Sequence, residues 1–252
     1  MTPAIDHVAL TVRDLPAMTA FYCDALGLAQ LGGDGETARL GAGDSTLLEL
    51  RRDSAARPRD PRQAGLFHTA FLLPDRADLA RWLRHAAENG TRLSGASDHG
   101  VSEALYLDDP EGNGIEIYWD RSPDQWQRSG DRIEMFTHRL DLNDLLALAD
   151  TPWQGAPQGS SVGHVHLQVG DLDQADAFLA GDLGLTRTFD APGGAWYGWN
   201  GYHHHLAGNT WNSRGAGMRE KGMTGLAEVV IRDLGRASQT ITNPWGTPFR
   251  FL

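Results

Sequence analysis

At 252 residues the chain has room for one large domain or two of ordinary size, each with its own core. Its composition, 40% hydrophobic and 22% charged, is that of a soluble globular protein, and a formal net charge of -11 argues against a nucleic-acid partner, whose phosphates call for a basic stripe. No stretch nears the roughly 18 apolar residues of a membrane span, MTPAIDHVAL lacks the pattern of a secretory leader, and the single Cys23 has no partner for an intramolecular disulfide, so a cytoplasmic protein that handles a small molecule is expected.

The first predicted element is a strand. In IDHVALTV, Val8, Leu10 and Val12 share one face, and His7, Ala9 and Thr11 the other. Asp14 is placed to cap a helix with the apolar face Leu15, Met18, Phe21, Tyr22 and Leu26, ended by Gly27. TARLGA and STLLELR read as short strands, and GGDGE between them and the helix as a turn. A second unit opens with LFHTAFLL and an amphipathic helix over 75–88, and closes with two strands around a DPEGNG turn. On the last strand Glu116 stands between Ile115 and Ile117.

Residues 121–160, with the helix DLNDLLALAD and a tail rich in Pro, Gly and Ser, read as a connector. The opening motif then recurs: VGHVHLQVGDLDQADAFLAGDLGL (162–185) matches residues 5–28 at eleven of twenty-four positions without a gap, including His7/His164, Asp14/Asp171 and Phe21/Phe178. LAEVVIRDLGRAS opens a fourth unit that is cut short. The expected fold class is α+β: tandem β-α-β-β-β modules beginning near residues 5, 64, 162 and 225, forming two curved-sheet domains with the fourth module truncated. Residues 1–120 would be the N-terminal domain, 121–160 the connector and 161–252 the C-terminal domain. Each sheet would be covered by helices on one face and line a cavity with the other. Alternation puts His7, His68 and Glu116 on uncovered faces.

Paired modules with His on an opening strand and Glu on a closing strand resemble the vicinal oxygen chelate superfamily, which holds extradiol dioxygenases, glyoxalase I and antibiotic-resistance proteins. The stretch from His99 through Leu105-Tyr106, Asp109-Pro110 and Gly112 to Glu116 is close to the extradiol signature, departing from it at Ser97, and GYHHHLAGNTW (201–211) resembles two-domain catechol 2,3-dioxygenase-like proteins. The resemblance implies a metal-dependent extradiol (meta) ring-cleaving dioxygenase that takes a small catechol-type aromatic and dioxygen, with neither nucleic acid nor membrane as partner and a homo-oligomeric assembly open to it. His7, His68 and Glu116 would supply a 2-His-1-carboxylate set for Fe(II), with Mn(II) as the alternative, leaving three metal positions free. His99 and Tyr106 match the family's catalytic positions: a donor or acid–base imidazole, and a phenol that orients the substrate oxygen.

Glu49 keeps a second reading open. At the closing strand of module one it would complete a His/Glu/His/Glu site of the glyoxalase I kind, suited to Ni(II), Co(II) or Zn(II) and to lyase or isomerase chemistry. A binding or resistance protein of the same fold is the third reading. In the second half His164, His204 (one of the run His203 to His205) and Glu228 offer another metal set, although Arg250 stands where the carboxylate would be. Trp196, Tyr197, Trp199 and Trp211 would pack a core or wall a cavity for a planar ring. No phosphate loop, zinc-finger spacing, nucleophile elbow or GxGxxG is present, and no organic cofactor is expected.

Overall fold

Four modules follow one another in a computed structural model that describes residues 2–252. The first runs β1 (Ala4–Val12), α1 (Leu15–Leu26), β2 (Ala29–Gly33), β3 (Thr37–Ala42) and β4 (Ser45–Arg52); the second runs β5 (Gly65–Leu72), α2 (Arg76–Glu88), β6 (Gly95–Asp98), β7 (Ser102–Asp108) and β8 (Gly114–Asp120). The connector holds three two-residue strands, β9 (Arg128–Ser129), β10 (Arg132–Ile133) and β11 (His138–Arg139), and the short helix α3 (Leu142–Leu146). The third module has β12 (Ser161–Gln168), α4 (Leu172–Asp176) widening into a π-helical turn, β13 (Thr186–Ala191), β14 (Gly194–Gly198) and β15 (Leu206–Asn209). The truncated fourth has β16 (Gly225–Arg232), β17 (Gln239–Thr242) and β18 (Pro248–Phe251), with no helix after its opening strand.

Capping chemistry sets both ends of α1. The Asp14 carboxylate accepts from the Ala17 amide at 3.0 Å, and Gly27 ends α1 in the left-handed conformation at φ 73°. α1 buries Leu15, Met18, Tyr22 and Leu26, and α2 buries Leu79, Ala80, Trp82, Leu83 and Ala86, so each lays one apolar stripe on the sheets.

In every module the opening strand pairs in parallel with the last one: β1 with β4, β5 with β8, β12 with β15, β16 with β18. The opening strand is left with one free edge, and the four free edges pair antiparallel, β1 with β16 and β5 with β12. Module one therefore shares a seven-stranded sheet with module four, and module two a nine-stranded sheet with module three. The expected division at 120 and 161 follows the duplication but not the sheets, each of which draws strands from both halves. Alternation fixes which way a side chain points, but carries no information on which edge an opening strand will meet.

The DPEGNG turn holds β8 in place. Asp109, 5% exposed, accepts from the backbone amides of Glu111 (2.9 Å) and Asn113 (2.8 Å), from Asn113 Nδ2 (2.8 Å) and from the Tyr22 hydroxyl (2.9 Å). Asp109→Ala leaves those donors unpaired, and at about 1–3 kcal/mol for an unsatisfied buried group the loss should reach about 3 kcal/mol or more. Denaturant unfolding measures it; a change under 1 kcal/mol would show that the turn does not depend on this carboxylate.

Candidate metal centre

Along β5 and β8, His68 and Glu116 project from the concave face of the nine-stranded sheet. Glu116 stands beside Ala70, and β12 on the other side of β5 places His164 beside that same Ala70 and His166 beside His68. His68, Glu116 and His164 are all buried, and one donor atom of each lies within 4.8 Å of the others. His68 Nε2 is 3.0 Å and His164 Nε2 is 3.2 Å from the same oxygen, Glu116 Oε2. The His164 contact has hydrogen-bond geometry, whereas His68 Nε2 is misaligned despite its short distance and is buried without a partner. Bonds of roughly 2.0–2.2 Å to adjacent vertices of an octahedron separate the donor atoms by about 3 Å. Spacing, orphaned nitrogen and donor chemistry all fit a divalent ion. The backbone makes room for His164 at Gly163, where a Cβ would lie 1.8 Å from the Tyr118 hydroxyl.

Burial alone would raise the Glu116 carboxyl, but His164 and His68 more than offset it and hold it well below the usual carboxylate range. Burial pushes His164 below its ordinary 6.5 against the pull of Glu116, pushes His166 and His204 well below it, and takes His205 down to about 3. His166, His204 and His205 are thus held neutral, the form in which imidazole ligates a metal or accepts a proton. An unfolded chain protonates each of them below pH 6.5 while the folded chain resists, so stability falls as the pH falls through that value. The slope is up to about 1.4 kcal/mol per ring per pH unit, continuing for His205 toward about pH 3. The thermal midpoint of metal-free protein should drop steadily from pH 7 to pH 5, and a midpoint flat over that range would mean these rings are not held neutral.

The three residues sit in a cavity of about 600 Å³ with walls of Phe67, Phe136, Phe189, Trp196 and Trp211. Among the described residues its only carboxylates are Glu116 and Asp108, and neither Lys nor Arg lines it. His99 and Tyr106 line it too, joined at 2.7 Å between His99 Nε2 and the Tyr106 hydroxyl. His99 Nδ1 faces the Phe136 carbonyl at 2.9 Å, so it must carry the proton, and Nε2 accepts from Tyr106. Burial and the nearby Glu116 keep the Tyr106 phenol well above its usual range, fully protonated. On the opposite wall His166 Nε2 faces Asn209 Nδ2 at 3.0 Å, while Asn209 Oδ1 accepts from the Trp211 amide. His204 lies against His164, ring centroids 4.1 Å apart.

His7 is not part of this cluster. It lies on β1 in the other sheet, where Nδ1 contacts Asp6 at 2.8 Å and Val230 is its register partner. In that sheet the counterpart of His68 is Glu228, opposite Ala9 as His68 is opposite His166, and the counterpart of Glu116 is Arg250, opposite Val230 as Glu116 is opposite Ala70. Arg250 binds Glu228 at 3.0 Å, and Arg51 bridges Glu228 (2.7 Å) and Glu49 (2.6 Å). The seven-stranded sheet thus repeats the placement of these positions, but guanidinium groups occupy the carboxylates there. Glu49 is thus remote from His68 and Glu116 in the pairing of strands, and the four-ligand arrangement does not form. The second-half set is likewise divided: Glu228 lies on the seven-stranded sheet, while His164 and His204 line the cavity of the other sheet.

Residues 4–117 match the sequence model of the Glyoxalase/Bleomycin resistance protein/Dioxygenase superfamily. A catechol-2,3-dioxygenase of Bacillus subtilis is 38% identical over 233 residues, covering 90% of this chain and 81% of that protein. The chain belongs to this superfamily. A biphenyl-2,3-diol 1,2-dioxygenase of Rhodococcus globerulus is 33% identical over 127 residues, 48% of this chain and 65% of that one. Glyoxalase I of Zea mays shares the fold at TM-score 0.56 and 18% identity, over 99% of this chain and 92% of that one.

In this superfamily member the stretch from His99 to Glu116 serves two purposes. Asp109 builds the turn, and His99, Tyr106 and Glu116 face the cavity. Sequence reasoning passed over Phe67 as a cavity residue, whereas alternation along the opening strand puts His166 on the cavity face with His164, and it lines the cavity. The partner of His166, Asn209, is brought near only by the pairing of β12 with β15. Among the described residues no helix is long and apolar enough to cross a membrane.

Proposed function

We propose that the protein is an extradiol dioxygenase that opens the ring of a catechol-type aromatic at a ferrous ion held by His68, Glu116 and His164. One observation carries the reading: two imidazoles and one carboxylate converge on a single point at the base of an aromatic-walled cavity. When bound, Fe(II) supplies a Lewis-acidic centre with three open positions through which electrons of a chelated catechol can reach dioxygen. The protein's own residues do the rest. His204 faces the cavity as a neutral base and takes a catechol hydroxyl proton, later returning it to the opened product. Tyr106 gives the other substrate oxygen a hydrogen-bond partner, and His99, by accepting a hydrogen bond from the Tyr106 hydroxyl, orients that phenol. Phe67, Trp196 and Trp211 hold the ring flat and exclude water, Phe67 and Trp211 packing with centroids 5.4 Å apart.

The lining also suggests which catechols are preferred. With no cationic side chain, and with Asp108 as the one carboxylate left once Glu116 holds the ion, the lining offers an anionic substituent no counter-charge and suits neutral ones. Fe(II)-loaded protein should consume one dioxygen per catechol and release a yellow ring-opened product. Its kcat/KM for alkyl- or aryl-substituted catechols should exceed that for carboxylated catechols by on the order of 10-fold or more, a difference worth about 1.4 kcal/mol. An oxygen electrode with both substrate classes tests this. No uptake with any catechol would overturn the dioxygenase reading, and equal rates would overturn the selectivity.

A further inference from the structure

Behind His204 a buried chain of hydrogen bonds leads away from the cavity. His204 Nδ1 lies 2.7 Å from His203 Nδ1, His203 Nε2 lies 2.8 Å from Asp120 Oδ1, and Asp120 Oδ2 accepts from the Tyr202 hydroxyl at 2.6 Å. Tyr118 stands behind Tyr202, hydroxyl to hydroxyl at 3.0 Å. His203 is fully buried between Trp126 and Tyr202, with ring centroids 5.0 and 4.1 Å away.

The donors and acceptors along this chain can be assigned from its fixed end. A carboxylate only accepts, so His203 must carry a proton on Nε2. Where Nε2 carries the only proton of His203, its Nδ1 is bare, and the proton of the N···N contact comes from His204. His204 therefore holds its proton on Nδ1 and turns a bare Nε2 to the cavity. Tyr202 spends its proton on Asp120, so Tyr118 donates to Tyr202, and every member has one consistent role.

We infer that Asp120 and His203 are positioning residues that fix the tautomer of His204, presenting Nε2 to the substrate as a proton acceptor. His203 and Asp120 touch no substrate and act only through His204. The inference rests on the dioxygenase reading for its kinetic consequence, but the tautomer itself does not. An imidazole locked in the wrong tautomer cannot accept a proton on the working side, and loss of the orienting carboxylate in a comparable arrangement costs on the order of 10⁴ in kcat.

The test is nitrogen NMR of ¹⁵N-histidine full-length protein loaded with diamagnetic Zn(II), together with steady-state kinetics of the Fe(II) form. In the parent, His204 should show a protonated Nδ1 and a bare Nε2, with a scalar coupling through the hydrogen bond to His203 Nδ1. In Asp120→Asn the amide can donate to His203 Nε2 and reverse the chain, moving the His204 proton to Nε2. kcat should then fall by at least about 10²-fold while KM for catechol and metal content hold. A parent His204 protonated on Nε2 overturns the inference, and that spectrum decides even if the variant does not fold. Parental kcat in the variant, or a loss of kcat with the tautomer unchanged, overturns it as well. Absence of oxygen uptake by the parent, with the assigned tautomer present, would instead reject the dioxygenase reading and leave the relay standing.

Discussion

His164→Ala protein, reconstituted with Fe(II) and desalted, should retain less than about a tenth of the iron of the parent, whereas His7→Ala should retain the parental amount. The two histidines occupy equivalent places in duplicated sequence, so the comparison isolates position in the fold from residue type. His164 Nε2 shares Glu116 Oε2 with His68, and removing it leaves a two-donor set. Loss of a partner that merely supports a ligand weakens metal binding 10–100-fold; loss of a ligand should exceed that. His7 faces Arg-paired carboxylates in the other sheet, with its Nδ1 on Asp6. Metal analysis of the two variants beside the parent is the measurement. Full iron in His164→Ala, or its loss in His7→Ala alone, would return the centre to the seven-stranded sheet.

The second large effect concerns proton transfer. His204→Ala should keep its iron and bind catechol, yet lose kcat by on the order of 10²–10⁴, the usual worth of a positioned acid–base group. His204 lines the cavity and packs on His164 without belonging to the three-donor cluster, so binding and chemistry should separate. His99→Ala should lose less, because His99 reaches the substrate only through the Tyr106 hydroxyl. Stopped-flow detection of catechol binding, followed by turnover, distinguishes the cases. A His204→Ala enzyme that turns over at the parental rate would assign the proton to the Tyr106 side of the cavity.

Period-two alternation and the spacing of the DPEGNG turn sufficed to place His68 and Glu116 on one concave face, and the internal repeat sufficed to mark four modules. The choice between His7 and His164 was beyond them. Both residues open a strand in the sequence HV, both precede a capped helix, and both lie on the uncovered face. They differ in what their strands meet: β12 pairs with β5, which carries His68, while β1 pairs with β16, which carries Glu228. Which opening strands meet is decided by packing between segments far apart in the chain, so the local pattern does not encode it. The histidine run at 203–205 was legible as chemistry but not as a hydrogen-bonded chain, because Asp120 comes from the far end of the second module.

The seam between β5 and β12 also sets an order of events during synthesis. The ribosome releases His68 and Glu116 first, while the segment carrying His164 and His204 has yet to be made. A nascent first half offers an incoming ion one imidazole and one carboxylate on a strand whose free edge is still open. Only when residues 161–168 zip onto that edge does the third donor arrive, and with it the wall that shields the site from water. The three-donor set therefore exists only once the third module has been made and paired.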